Sequence, residues 1–318
     1  VVGDFLKEKK IPVSAANWDE LFNQRILPAL EEEKISIDDL RNLLRNTEEC
    51  GRQHVFLYQA DPTRAQAMMN PQRIQPIVTH MGLSNLMHTP LDLELPNAPQ
   101  IVDIRGEKYS NGSSSLVIKR VETRSTKKLI GEKPGSAPNT VEKIYSLEKK
   151  RAVSLAKLHS DGLLEIRIAR QDNSSQYQEN IGIFFNAIAP ILPRSEFKEI
   201  SLSNAKSKLI SAQETLKGEV RFVQSEARNA TGNRMSVSTA SLTEDIFDDD
   251  GSKGGLNHFL GSGGKIDRSN FYIIVPDPDA PREIHVLLSG EVNEFAIPAS
   301  CTATDYDHVC GKIREFNK

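Results

Sequence analysis

Cysteine is scarce in this chain: Cys50, Cys301 and Cys310 are the only three in 318 residues, odd in number and without framework spacing. That excludes a disulfide-stapled fold and suits a compartment where thiols stay reduced. Aromatic residues make up only 6%, with a single Trp. No run approaches the ~18 to 20 uninterrupted apolar residues of a membrane helix, and residues 1–30 lack an apolar signal core with a small-residue cleavage site. The expectation is a cytoplasmic protein (nuclear in a eukaryote), not secreted and without a membrane partner. Val1 in place of Met predicts a trimmed or processed start. No repeat of solenoid period occurs. What is present, 38% apolar and 26% charged residues, belongs to an ordinary globular chain, and ~150 residues per domain gives a prior of about two domains.

Charge is unevenly distributed. Residues 1–100 carry 10 basic and 14 acidic side chains, residues 101–170 carry 15 and 8, and residues 171–318 carry 15 and 21. A basic middle therefore sits between acidic flanks. Its excess is gathered in Lys119, Arg120, Arg124, Lys127, Lys128 and Lys133, then Lys143, Lys149, Lys150, Arg151 and Lys157. Such clustering attracts a polyanion; the alternative is a solvated sheet face whose lysines keep an edge from aggregating.

The first ninety residues read as a helical domain. Asn17 can cap a helix carrying Trp18, Leu21, Phe22 and Ile26, which Pro28 should end or kink. Ser36 can cap a second, with Asp38 and Asp39 in its first turn, Leu40, Leu43, Leu44 and Cys50 on one face, and Gly51 as a stop. Gln53 to Gln59 is a short strand or a buried helix turn, and two short helices flank Pro71. Residues 91–99, rich in proline, are expected to be a linker to an α+β domain at 100–318.

From Ile101 the period becomes that of strands: 101–104, 116–121, 141–147, 152–158 and 163–169, punctuated by Asn111-Gly112, Pro134-Gly135, a charged knot at 148–151 and Asp161-Gly162. The simplest arrangement is a basic antiparallel meander over 100–170. In Leu164-Glu165-Ile166-Arg167-Ile168 the strict alternation turns Glu165 and Arg167 away from the core. The acidic part, 171–318, contributes helices near 181–191 and 203–216, strands at 219–224, 235–239, 271–275, 284–288 and 292–297 with a tight turn at Ser289-Gly290, and a closing helix from Thr304 to Phe316. The fold class is thus α+β: a small helical region, then antiparallel sheets with flanking helices.

Catalytic signatures are weak. Gly263-Gly264-Lys265 resembles part of a phosphate-binding loop, but Ile266 stands where Ser or Thr is needed and Phe259 where a glycine is needed, so 251–264 reads as a flexible surface loop. Cys301, His308 and Cys310 do not have structural zinc spacing, no Gly-x-Ser-x-Gly elbow is present, and no cofactor is expected. A metal-dependent nuclease remains the enzymatic candidate, with Asp103 or Glu122 as the upstream acid and Glu148 and Lys150 as the Glu-x-Lys element; Asp161 with Glu165, Ile166 and Arg167 forms a looser set. Such acid-x-base patterns recur by chance in a chain this charged.

The order of elements, with Ile35 to Gln59, Leu164 to Ala169, Gln176-Tyr177 and Phe197 to Ile210, resembles the CENP-N/Chl4 family of kinetochore proteins. That resemblance implies a small helical domain beside a β-rich domain that contacts DNA, and no catalytic activity. The residues themselves lead to a non-enzymatic protein that binds nucleic acid, preferentially duplex and with low specificity, through Lys119, Arg120, Arg124, Lys127, Lys128, Lys149, Lys150 and Arg151. A protein–protein assembly component or scaffold, one subunit of a complex, is the first alternative, and the nuclease the second.

Overall fold

The computed structural model describes residues 1–318 except 111, 138, 172–175, 278–280 and 289–290. The expected turns at Asn111-Gly112 and Ser289-Gly290 fall wholly or partly outside the described residues. The architecture is α+β, and the chain divides into two compact units: Val1–His54 with Ser201–Lys318, and Val55–Ile200.

In the first unit, α1 (Val2–Glu8), α2 (Trp18–Leu21), α3 (Leu27–Glu31) and α4 (Ile37–Glu49) bury Leu6, Ile11, Ile26, Ala29 and Ile35 together. Asn17 caps α2 by accepting from the Glu20 amide at 2.9 Å. Pro28 does not end the helix. A π-helical turn at Phe22–Ile26 precedes it, and the chain continues as α3 beyond; proline lacks the amide a regular ladder would require, so the ladder changes pitch at that point. Ser36 and Asp39 form the capping box of α4, satisfying two otherwise orphaned amides. Leu44 is exposed. Gly51 then begins β1 (Gly51–Gln59) at φ +79, where a Cβ would lie 2.3 Å from the Ala299 carbonyl oxygen. Both the backbone angle and the close approach require glycine.

The second unit holds the C-terminal part of β1, α5 (Pro62–Met69), α6 (Pro71–His80), β2 (Gln100–Lys108), β3 (Ser114–Pro134), β4 (Val141–His159), β5 (Leu163–Ala169), α7 (Tyr177–Ile188) and β6 (Lys198–Glu199). Its strands lie in the order β2-β3-β4-β5-β1, with β6 on β1. Asp61 and Asn70 cap α5 and α6, each followed by a proline preset for the first turn. The core draws on β1 (Phe56, Tyr58), α5 and α6 (Ala65, Met68, Ile74, Val78), the sheet (Ile104, Ile118, Ala156, Ile166) and α7 (Phe184, Phe185).

The helices at 62–80 fill the sheet's own core, so the compact unit begins at Val55, and residues 91–99 lie within it. The proline-rich stretch is tied down: Leu91 donates its amide to Val102, Thr123 donates its hydroxyl to the Pro96 carbonyl at 2.7 Å, and Leu93 packs on Val102, Val121 and Val153.

The remaining elements belong to the first unit: α8 (Ser203–Ser211), β7 (Val220–Arg228), β8 (Arg234–Ser238), α9 (Asp250–Gly261), β9 (Lys265–Val275), β10 (Arg282–Leu288), β11 (Glu294–Ser300) and α10 (Ala303–Phe316). The strand order is β11-β10-β9-β7-β8. The glycine-rich stretch expected as a loop forms α9 instead. Asp249 caps it by accepting from the Ser252 amide at 2.6 Å, and Leu256 is fully buried; one capped end and one buried anchor offset the helix penalty of its glycines.

Candidate nucleic-acid interface

The three expected strands at 116–121, 141–147 and 152–158 belong to one long hairpin. No turn interrupts 148–151: β4 runs unbroken for 19 residues beside the 21 of β3, because each residue of the charged knot has a partner, from Glu148 opposite Thr126 to Arg151 opposite Thr123. The neighbouring strands are much shorter. β2 reaches only to Gln100 opposite Val121, and β5 only to Ile168 opposite Ser154. Beyond those rungs the hairpin continues as a two-stranded ribbon from Glu122 to Pro134 and back from Val141, and at ~3.3 Å per residue it extends roughly 40 Å. It closes through the Gly135 amide, which donates to Thr140.

Alternation along a strand assigns each ribbon residue to a face. Leu116 and Ile118 point into the core, so Arg120, Glu122, Arg124, Thr126 and Lys128 continue that face, opposite Ser154, Ala152, Lys150, Glu148 and Ser146. The other face carries Lys119, Val121, Thr123, Ser125, Lys127 and Leu129, opposite Leu155, Val153, Arg151, Lys149, Leu147 and Tyr145. Each neighbouring basic pair, Lys127-Lys128 and Lys149-Lys150, is therefore divided between the faces.

The sequence-selected cations have different surroundings. Lys119 and Arg120 are each only 6% exposed. Arg120 lies 3.4 Å from Glu122, and its guanidinium pKa is lowered by burial and by Arg124 against the opposing pull of Glu122. Arg124 contacts Glu122 at 2.6 Å and donates to the carbonyls of Ala169 and Arg170 at 2.9 and 3.2 Å. It fastens the ribbon's base to the end of β5. Lys128 and Lys150 are exposed and flank Glu148 at 4.0 and 3.4 Å. Further out, Lys133 pairs with Glu142 at 2.9 Å and Lys143 with Glu132 at 3.7 Å. Lys127 and Lys149 are exposed and, among the described residues, have no ion pair. Arg151 is half-buried.

The first nuclease set does not converge. Asp103 is buried and paired with Arg105. It lies opposite Lys119, whereas Glu148 lies opposite Thr126; seven residues along β3 separate them by roughly 23 Å, too far for one cation. Glu122 is about four residues, roughly 13 Å, from Glu148 on the same scale. Asp161 caps the β4–β5 turn by accepting from the Leu163 amide at 3.2 Å, and Ile166 belongs to the core. Cys301 and Cys310 are buried thiols, and among the described residues no group of three His, Cys, Asp or Glu is placed to hold a metal ion.

Glu165 and Arg167 do point away from the core, as alternation requires, but each is only 2% exposed. They belong to a ladder of charges at the ribbon's root. Arg167 contacts Glu165 at 2.8 Å, His159 meets Glu165 at 2.5 Å, and Ser115 and Tyr109 donate to Glu107 at 3.1 and 2.8 Å. Burial alone would raise the Glu107 carboxyl, yet Lys157 and Arg105 beside it, with these hydrogen bonds, hold it at about 2. Lys157 is raised: burial and Arg167 push it down, and Tyr109, Glu107 and Glu165 more than reverse this. The sequence hid this ladder because its members lie on four strands, so that only register assembles them.

No family model matches this chain, and no curated protein matches it. Among the described residues no helix is long and apolar enough to cross a membrane.

Proposed function

We propose that the protein binds nucleic acid through phosphate contacts along the β3–β4 ribbon, without catalysing a reaction on it. The observation that carries the reading is the concentration of Lys127, Lys128, Lys133, Lys143, Lys149 and Lys150 on a narrow two-stranded element whose only acids over the same span are Glu132, Glu142 and Glu148. Lysines on both faces of a ribbon reach phosphates on either side of it, and neutralising those phosphates releases counterions. Such contacts position a protein without reading sequence. Tyr145 is the only aromatic residue on the ribbon, so backbone tracking of a duplex is favoured over stacking on a single strand. Buried Lys119 and Arg120 are left out of the contact set, and Arg124 serves chiefly to hold the ribbon's base. The resemblance in element order to the CENP-N/Chl4 family, read from the sequence, is in line with this proposal.

The test is a mobility shift with duplex DNA, single-stranded DNA and RNA at ~50 and ~200 mM salt, between which phosphate-dominated binding weakens steeply. Reversing Lys127, Lys128, Lys149 and Lys150 together abolishes the shift and leaves the melting temperature nearly unchanged. No shift at low salt, or an undiminished shift in the variant, overturns the reading.

One observation favours the assembly-component reading: Leu129, Ile130, Val141, Ile144, Tyr145 and Leu147 are all exposed on the ribbon. Apolar side chains gathered on a projecting element mark a contact with another macromolecule. Recovery of a stable protein complex from a nucleic-acid-free preparation, lost when the ribbon is removed, would place this reading first.

A further inference from the structure

The two faces of the ribbon differ chemically, and the difference selects one of them. Resting on the nucleic-acid reading above, we propose that the ribbon enters a groove of duplex DNA with the face bearing Lys127, Lys149 and Arg151 toward the DNA, where Leu129, Tyr145 and Leu147 make apolar contacts inside the groove.

Register carries the first part of the argument. From Thr123 to Leu129 and from Tyr145 to Arg151 this face presents three cations and not one carboxylate; the opposite face over the same rungs presents Glu148 among Arg124, Lys128 and Lys150, with Glu122 one rung nearer the root. On the opposite face the cations are compensated, since Lys128 and Lys150 flank Glu148 and Arg124 contacts Glu122. Lys127 and Lys149 have no such partner among the described residues. Over these rungs a polyanion meets no like charge on the first face, where Glu132 enters only beyond the bulge and opposite Lys143, and meets Glu148 on the second; like charge across an interface opposes association.

The apolar side chains carry the second part. Leu129 pairs across the ribbon with Tyr145, and Leu147 with Lys127, so all three lie on the face with the free lysines. Their exposures are 46%, 47% and 65%. A face of cations alone would serve for phosphates; apolar groups between them add contacts that phosphates cannot use. The interior of a B-form groove can, through thymine methyls or loosened base steps. Ile130, the unpaired residue of a β-bulge between Leu129 and Gly131, marks a local increase in twist, which suits a ribbon following a helical groove. The B-form major groove, about 12 Å wide, admits a two-stranded ribbon, whereas the deep, narrow major groove of A-form RNA does not.

Binding of the full chain to duplex DNA, to the same sequence as duplex RNA, and to heparin is measured by fluorescence anisotropy across a salt series. The Lys127→Gln, Lys149→Gln double variant is expected to lose roughly tenfold or more in affinity for DNA and to reduce the log–log salt slope by about 2; Lys128→Gln with Lys150→Gln changes both much less. Leu129→Ser with Leu147→Ser weakens DNA binding with an unchanged slope, leaves heparin binding intact, and keeps the thermal melt of the wild type. Equal losses from the two lysine pairs, a larger loss from Lys128 and Lys150, or an affinity for duplex RNA equal to that for DNA overturns the groove assignment while the nucleic-acid reading stands. If the leucine variant abolishes self-association in sedimentation but leaves DNA binding untouched, the apolar stripe is a protein contact and the assignment falls. Absence of DNA binding by the wild type overturns the nucleic-acid reading itself.

Discussion

Glu107 contributes to the acid response of the second unit. Its carboxyl, ordinarily near 4.5, is held at about 2 by Lys157 and Arg105 despite burial. A folded-state pKa below the unfolded one stabilises the protein above the unfolded value, and that contribution is lost as pH falls through the folded value. Its window therefore runs from about pH 4.5 down to about 2. Replacing Glu107 by Gln removes the contribution and leaves Lys157 and Arg105 short of a counterion. The variant should be less stable at neutral pH, and its deficit against wild type should shrink between pH 4.5 and 2 when chemical unfolding is followed at each pH. A constant deficit across that range would show that the carboxylate does not titrate with folding.

On the proposed reading, the β3–β4 ribbon separates binding from stability. Among the described residues, its outer part contributes nothing to the core clusters of the second unit, whose members on these strands end at Leu116, Ile118, Val121, Val153, Ala156 and Leu158. Arg124 and Lys150 face each other across the ribbon, so replacing residues 125–149 with Asn-Gly joins them through a two-residue hairpin turn. The shortened protein should melt within a few degrees of wild type and lose nucleic-acid binding. A large fall in melting temperature would mean that the ribbon supports the sheet.

At the scale of the whole molecule, the chain is one unit interrupted by another. Residues 55–200 are continuous in sequence and contain the C-terminal part of β1, α5, α6 and the sheet they cover, whereas the first unit assembles from segments separated by that insertion. A fragment spanning 55–200 should melt cooperatively. One beginning at residue 100, the boundary suggested by the proline-rich stretch, lacks Phe56, Tyr58, Met68, Ile74 and Val78 from the core and should aggregate or remain unfolded, as circular dichroism and size exclusion would show.

How much of this was legible depends on the range of the interaction. The caps at Asn17 and Ser36 act within three residues of themselves, and the α+β class follows from a change of period that any local window detects. So does the basic middle segment, since charge is a property of composition. The ribbon was only half legible: Lys-Lys-Arg at 149–151 resembles a turn until the cross-strand partners Thr123, Arg124 and Ser125 are known. The helix at 250–261 defies its glycines because Leu256 has a core to enter. Sequence by itself determined where the charge lies and the change from helical to strand period that sets the α+β class. Tertiary structure decided which lysines reach solvent, which face each occupies and where one unit ends, because burial and register arise from partners distant in the chain.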